Sequence, residues 1–305
     1  MELQQLKHFV AVQRLGGFRK AAESLNISQP ALSQSIGNLE NSLGVSLFER
    51  GPHGTQITPY GETLTKHANT ILREIAKARE ELDVLSGLQR GRVSLGVLST
   101  FSSHIVPEVV STFLTEYPNI EVEVTVHLWP ELSKLLESGE LDFVFSLWSP
   151  ELEKGKDLKS IPQQTCRSVV YARADHPLAS KKNVSLKDMA QFEWIVTNQA
   201  IATDYLALRF NDGGLPLPKI AVRTDSFSLI RAMVHERPLL CMMPDNTTAE
   251  DLQEGLLVEI DQKQIVREQT TALIFSTRIS LTPAAEALMK AFQRYAGDSK
   301  VTWAR

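Results

Sequence analysis

Seven apolar residues, Leu64, Ala68, Ile71, Ile75, Ala78, Leu82 and Leu85, recur at alternating steps of four and three through TPYGETLTKHANTILREIAKAREELDVLSG. A 3.5-residue period held this long is the seam of one helix of about 30 residues. Thr58 is placed to cap it and Pro59 to occupy its first turn, where a missing N–H costs nothing. So long a helix does not fit an ordinary surface position. Either it lies buried against its own chain or it packs on a second copy, and the sustained period favours the second copy.

The segment before this helix has its own apolar pattern. Leu3, Leu6 and Phe9 or Val10 follow helical spacing until Gly16 and Gly17 interrupt, and FRKAAESLN resumes it with Ala21, Ala22 and Leu25 inward. The adjacent alanines allow another helix to approach closely. After the break at Asn26 and Ile27, Ser28 is an N-cap candidate with Pro30 in the first turn, and Leu32, Ile36, Leu39 and Leu43 form one buried stripe. Two short helices, a tight turn and a polar-faced second helix make a helix-turn-helix. An ordinary helical hairpin with a solvated face would give the same spacing. In the DNA-binding form, Gln29, Ser33 and Gln34 lie at the exposed N-terminal end, the end that enters the major groove. Gln pairs bidentately with adenine, Ser meets either edge, and the first backbone amides favour a phosphate. In GVSLFERGPHGTQITPYGE, Gly44 ends the helix, Leu47 and Phe48 are apolar anchors, and GPHG turns a small hairpin, a wing. Arg50 and His53 on that wing are candidates for the DNA backbone or minor groove.

Composition narrows the alternatives. The 305 residues are 43% apolar and 22% charged, enough chain for two or three domains. Residues 1–92 carry 11 Lys/Arg against 9 Asp/Glu, whereas the remainder carries 21 against 27. The front is thus slightly basic and the back acidic. No apolar run approaches the roughly 18 residues of a membrane span, and MELQQLKHFVAVQR lacks a basic lead into a long apolar core. A cytoplasmic protein without membrane contact is expected. Cys166 and Cys241 fit neither a disulfide scaffold nor a metal site. Buried thiols are expected, and no cofactor.

The first 60 residues closely resemble the N-terminal signature of LysR-type transcriptional regulators. The shared frame runs through Leu3, Leu6, Phe9, Ala11, Val12, Gly17-Phe18, Ala21-Ala22, Leu25, Ser28-Gln29-Pro30-Ala31-Leu32-Ser33, Ile36, Leu39-Glu40, Leu43-Gly44, Leu47-Phe48-Glu49-Arg50, Thr58 and Gly61. The resemblance implies a winged helix-turn-helix, a linker helix and an effector domain. It also implies a dimer or tetramer on interrupted palindromes, with contacts at Gln29, Pro30, Ser33, Gln34 and Arg50; Ser28, the cap of that helix, is counted with the DNA-binding candidates. Gly37, where many members carry Arg, and the weakly basic GPHGTQ depart from the family pattern. Dimerisation can offset a weaker phosphate grip.

Beyond Gly91-Arg92, strands such as VSLGVL, IEVEVTVHL and FVFSL alternate with helical stretches, the mark of α/β architecture with a parallel sheet. A second unit spans 165–265, with strands near CRSVVYA, FEWIVT, KIAVRT and LLCMM, and TTALIF returns to the first. The expected organisation is a winged helix-turn-helix at 1–58, a linker (dimerisation) helix at 59–89 and an effector domain at 90–305. Its first lobe takes 90–164 and 266–305, and its second takes 165–265. The segment resembles the family's effector domain, which has the fold of a periplasmic solute-binding protein.

Ligands in open α/β sheets lie beyond the carboxyl ends of strands. Ser99-Thr100 ends VSLGVL and precedes a helix whose N-terminus can receive a carboxylate. By family analogy Thr100 and Ser102 lead the effector contacts. Ser146 and Trp148 at the end of FVFSL, with Thr197 and Asn198 at the end of FEWIVT, complete a ring; local capping is the plainer role for the hydroxyls. Arg237, in HERPLLCMMPD where many members have a glycine-rich turn, faces either an anionic effector or solvent. No nucleophile elbow, phosphate loop or metal-spaced cluster argues for an enzyme. A pure solute receptor leaves the front unexplained, and an architectural DNA protein leaves the back unexplained. The expected partners are operator DNA, a small, most simply anionic, effector, a second copy of the chain and RNA polymerase.

Overall fold

The computed structural model describes residues 1–51, 54–85, 90–152, 157–198 and 200–298. Three helices form the front: α1 (Leu3–Leu15), α2 (Phe18–Ser24) and α3 (Gln29–Leu43). A hairpin of β1 (Phe48–Gly51) and β2 (Gly54–Ile57) follows, then the 27-residue α4 (Pro59–Leu85). Leu6, Phe9, Val12, Ala21, Ala22, Leu32, Ile36 and Leu39 close one core with Leu47 and Phe48. Leu43 does not join that stripe, being 38% exposed at the end of α3. Glu40 ties the wing down, its carboxylate accepting Leu47 N–H (2.7 Å) and Phe48 N–H (3.2 Å). Thr58 starts α4 as expected, its hydroxyl accepting Gly61 N–H at 3.1 Å. Gly61 is required there, because a Cβ would stand 2.4 Å from Leu47 O.

The remainder runs β3 (Gly91–Leu98), α5 (Ile105–Glu116), β4 (Ile120–His127), α6 (Trp129–Ser138), β5 (Phe143–Leu147), β6 (Leu158–Arg173), α7 (Leu186–Met189), β7 (Trp194–Val196), α8 (Ala200–Asp212), β8 (Ile220–Arg223), α9 (Phe227–Glu236), β9 (Leu240–Pro244), α10 (Ala249–Gln253), β10 (Leu257–Glu259), β11 (Arg267–Ser276) and α11 (Pro283–Asp298). All its strands join one sheet, ordered β4-β3-β5-β11-β6-β9-β7-β8, with β10 also on β6. The expected parallel pairing holds inside each lobe, β3 with β4 and β5, and β7 with β8 and β9. The two strands that connect the lobes pair antiparallel. β6 lies against β11 over its first half and against β9 and β10 over its second, and the exchange falls at Ser168, opposite both Arg267 and Pro244. Val93, Val97, Phe143, Phe145, Leu288 and Phe292 centre one lobe; Val170, Trp194, Phe210 and Leu240 centre the other.

α4 has two faces. Its last apolar seam positions stay open to solvent in the single chain: Ile71 at 38%, Leu82 at 64% and Leu85 at 84% exposure. Ile75 is half-buried and Ala78 exposed. The start of the expected seam is used differently. Ala68 is fully buried in the front core and Leu64 packs against it, because the helix must also close the helix-turn-helix. The opposite, polar face docks on the first lobe. Asn69 donates to Ser138 O (2.5 Å), and Arg73 donates to Gly139 O (2.5 Å) and pairs with Asp142. Gly139, at φ 78°, sits beneath the helix; a Cβ there would stand 3.3 Å from Asn69 Cβ of α4 and 2.6 Å from Ile279 on the other side. Further along, the buried Glu80 accepts Ala284 N–H (3.3 Å) at the start of α11. Burial raises its pKa, and the Ala284 bond opposes the shift.

Candidate DNA-reading helix and interlobe cavity

The candidate DNA-reading surface is the N-terminal turn of α3. Ser28 caps it, its Oγ accepting Ala31 N–H at 3.3 Å. Gln29, Pro30 and Gln34 are exposed and Ser33 is half-buried. The side chains of Gln29, Ser33 and Gln34 make no hydrogen bond among the described residues, so their donors and acceptors are available to a partner. α3 is held from behind by Leu32, Ile36 and Leu39 and by a chain through His8. The Gln4 amide lies 2.9 Å from His8 Nε2, and His8 Nδ1 lies 2.8 Å from Ser35 Oγ. Burial lowers the His8 pKa, which favours the neutral ring. The Arg50 side chain and all of His53 lie outside the described residues; the backbone of Arg50 is in β1, opposite Thr55.

A cavity of about 590 Å³ opens between the two lobes. The first lobe contributes Leu98 at the end of β3 with Ser99 and Thr100 after it, the start of α6 at Trp129, and Ser146 to Ser149 at the end of β5. The second contributes Ile195 to Asn198 at the end of β7, Tyr205 and Leu206 of α8, and Met242 and Pro244 of β9. The connecting strands supply its back: Ser168, Arg267 and Gln269. Ser99, Thr100, Ser146, Trp148, Thr197 and Asn198 therefore share one cavity.

Ser102 does not join them. The chain after β3 first makes a 3-10 turn over Ser99–Phe101, and Ser102 spends its hydroxyl on Ser99 O at 2.7 Å. α5 begins only at Ile105 and lines no part of the cavity. Its N-cap, His104, instead faces the other lobe, with Nδ1 3.6 Å from Glu250 Oε2. Burial is the main cause of a lowered His104 pKa, against an opposing pull from Glu250. The expected carboxylate seat at that helix start is thus displaced from the cavity. Asn198 is partly engaged, its Nδ2 donating to Asp225 at 3.1 Å. Arg237 is exposed, pairs with Glu193 at 3.3 Å and lies outside the cavity.

Sequence reasoning missed Arg267, Tyr205, Gln269 and Trp129. The guanidinium of Arg267 stands over the Tyr205 ring, 5.6 Å from its centroid. Their only linear signal is that Arg267 opens a strand returning to the first lobe. A second depression, about 680 Å³, lies on the outer face of α11 beside Tyr117 and Arg294 and does not reach the interlobe space. Cys166 and Cys241 are free and buried, and burial pushes the Cys166 thiol up to about 12. Among the described residues no cluster could hold a metal, and no helix is long and apolar enough to cross a membrane.

Residues 3–62 match the bacterial regulatory helix-turn-helix of the LysR family, and residues 86–297 match the LysR substrate binding domain. The chain is 30% identical over 291 residues to the SDS degradation transcriptional activation protein of a Pseudomonas species, covering 94% of each. In fold it is similar to a full-length OxyR variant from Pseudomonas aeruginosa, with TM-score 0.72 and 22% identity over 96% of this chain and 95% of that one. It is also similar to CbnR solved with its target DNA, with TM-score 0.65 and 21% identity over 97% of this chain and all of that one. A helix-turn-helix followed by a two-lobed effector domain, matched along almost its whole length, makes this chain a member of the LysR family of transcriptional regulators, a DNA-binding regulator modulated by a small-molecule effector.

Proposed function

We propose that the chain reads operator DNA with Gln29, Ser33 and Gln34 of α3, assisted by Ser28, Pro30, Arg50 and His53, and that its effector occupies the interlobe cavity. One observation carries the coupling: α4 is docked on the front domain at Ala68 and on the first lobe at Asn69, Arg73 and Glu80. A change in lobe angle is therefore felt by the helix that carries the DNA-reading unit. Two copies associate through Ile71, Ile75, Ala78 and Leu82, the apolar face that α4 leaves uncovered. The complex acts in the cytoplasm at a promoter, in contact with RNA polymerase, and performs no catalysis. An effector must prefer one lobe arrangement, because equal affinity for both shifts nothing.

The test is a gel shift on DNA from upstream of the chain's own gene, against random duplex. Gln29→Ala weakens the cognate site selectively, by about 1–3 kcal/mol for one lost base contact. Equal loss on both duplexes, with the fold retained, removes the base-reading role.

A further inference from the structure

The interlobe cavity has a polarity that the family assignment does not specify. Arg267 is the one charged side chain lining it among the described residues, and no carboxylate lines it. Arg267 makes no ion pair among the described residues; it is half-buried, and its guanidinium rests on the face of Tyr205. A cation held against a ring, with no acidic partner among the described residues, is positioned for an anion that arrives with the ligand. Gln269 lies two residues along β11, on the same face of the strand. Its Oε1 accepts the Ser168 hydroxyl at 2.7 Å, which leaves the amide N–H groups unpaired. Arg267 and Gln269 thus offer adjacent donors to one anionic head.

Apart from the hydroxyls and amide at the strand ends (Ser99, Thr100, Ser146, Thr197 and Asn198), the other walls are mostly apolar. Trp129 and Trp148 come from the first lobe, Leu206 and Met242 from the second. Trp148 is 40% exposed, a large aromatic surface left uncovered in a cavity. A small inorganic anion would leave that surface wet, and a neutral apolar molecule would leave Arg267 without a counter-charge. We infer that the effector is an amphiphilic organic monoanion, a carboxylate or sulfate ester on an apolar body, with its head on Arg267 and Gln269 and its body between the two tryptophans. This rests on the interlobe cavity being the effector site. It moves the anion seat from the turn after β3 to the strand that joins the lobes, with the ligand body touching both.

Tryptophan fluorescence of the full-length protein reads the binding. The probes are phenylacetate, octanoate and octyl sulfate, each against its uncharged partner: phenylacetamide, octanamide and octanol. At least one anion binds more tightly than its neutral partner by about ten- to a hundredfold, the size of one charged hydrogen bond. Arg267→Gln reduces that preference to less than about threefold, the anion losing more affinity than its neutral partner; Arg267→Lys retains part of it, since Lys keeps the charge and loses the fork. Trp148→Phe reduces the signal change and leaves the part reported by Trp129. If Arg267→Gln does not fold, Arg267→Lys and Gln269→Leu carry the comparison. Neutral and anionic probes binding equally well overturns the inference and leaves the cavity as the effector site. Anion preference surviving in Arg267→Gln, or in both substitute variants, likewise overturns it. If none of the probes perturbs the tryptophans, both the inference and the cavity assignment fall.

Discussion

Replacing Arg73 with Ala undoes the dock between α4 and the first lobe at its centre. The guanidinium is 14% exposed and its partner Asp142 only 4%. Truncation removes the bond to Gly139 O and leaves the Asp142 carboxylate without its cation, although Asp142 still accepts Ser94 N–H at 2.7 Å. Breaking a buried pair from one side costs about 3–5 kcal/mol. The retained Ser94 bond, and water entering where the guanidinium stood, put the loss at the lower end, about 3 kcal/mol. Urea unfolding of Arg73→Ala measures it. Adding Asp142→Asn, which keeps an oxygen for Ser94 but no longer demands a cation, restores about 1 kcal/mol. In the same variant the effector still binds, while the DNA affinity responds to it less. A loss below about 1 kcal/mol, or a double variant that loses the sum of both singles, refutes the dock as a buried, coupled pair.

Ile71→Asp with Ile75→Asp places two charges on the exposed seam of α4 and converts a fragment of residues 1–90, which carries its own core, from dimer to monomer in sedimentation; an unchanged mass rules the seam out. Thr100→Val keeps the volume of a cavity-lining residue and removes its hydroxyl, so calorimetry of a confirmed effector shows a loss of about 1–2 kcal/mol if Thr100 is a contact and none if it is not. The same 1–90 fragment becomes less stable as pH falls below 6.5. There the unfolded His8 takes a proton that burial denies the folded ring, whereas above 6.5 the ring is neutral in both states. The slope of urea midpoint against pH flattens in His8→Asn, and an unaltered slope would remove His8 as its source.

The front of the molecule was legible because its determinants are local. Ser28 caps within three residues, Thr58 and Pro59 mark a helix start, and the apolar stripes of α1 to α3 meet one another across short turns. Leu43 failed because a periodic stripe says nothing of where the neighbouring helices end. Ala68 failed because a small residue on a heptad position satisfies two different partners equally well. The cavity was half legible. Strand ends located Thr100, Ser146, Trp148 and Thr197, but Ser102 closes its own turn, an outcome set by one local hydrogen bond. Arg267 and the polar face of α4 were invisible for a different reason: Tyr205 lies 62 residues from Arg267, and Ala284 lies 204 residues from Glu80. Polar residues on a solvated helix and polar residues that meet a distant lobe look alike in one dimension. β6 was read too short because Pro162 and two glutamines break its apolar run. It persists as a strand because β11 pairs with it through this stretch, where its other side has no strand partner among the described residues to need the missing N–H, and β11 shifts register just beside Pro162.

The two connecting strands also govern how large the effector's signal can be. They belong to the same sheet as both lobes, so the lobes cannot swing as if on a loop without breaking ladder hydrogen bonds. What a hydrogen-bonded pair of strands tolerates is a change of twist, and the irregularity between Thr270 and Ala272 is where such torsion concentrates. The 27 residues of α4, at about 1.5 Å each, form a lever of about 40 Å clamped to one side of that torsion spring. A twist of about 5° sweeps the end of a rod that long through about 3–4 Å, comparable with the rise of one base pair. Under the proposed coupling, a ligand that turns the strands only slightly moves α3 of one protomer relative to its partner's by about one base-pair step along the duplex.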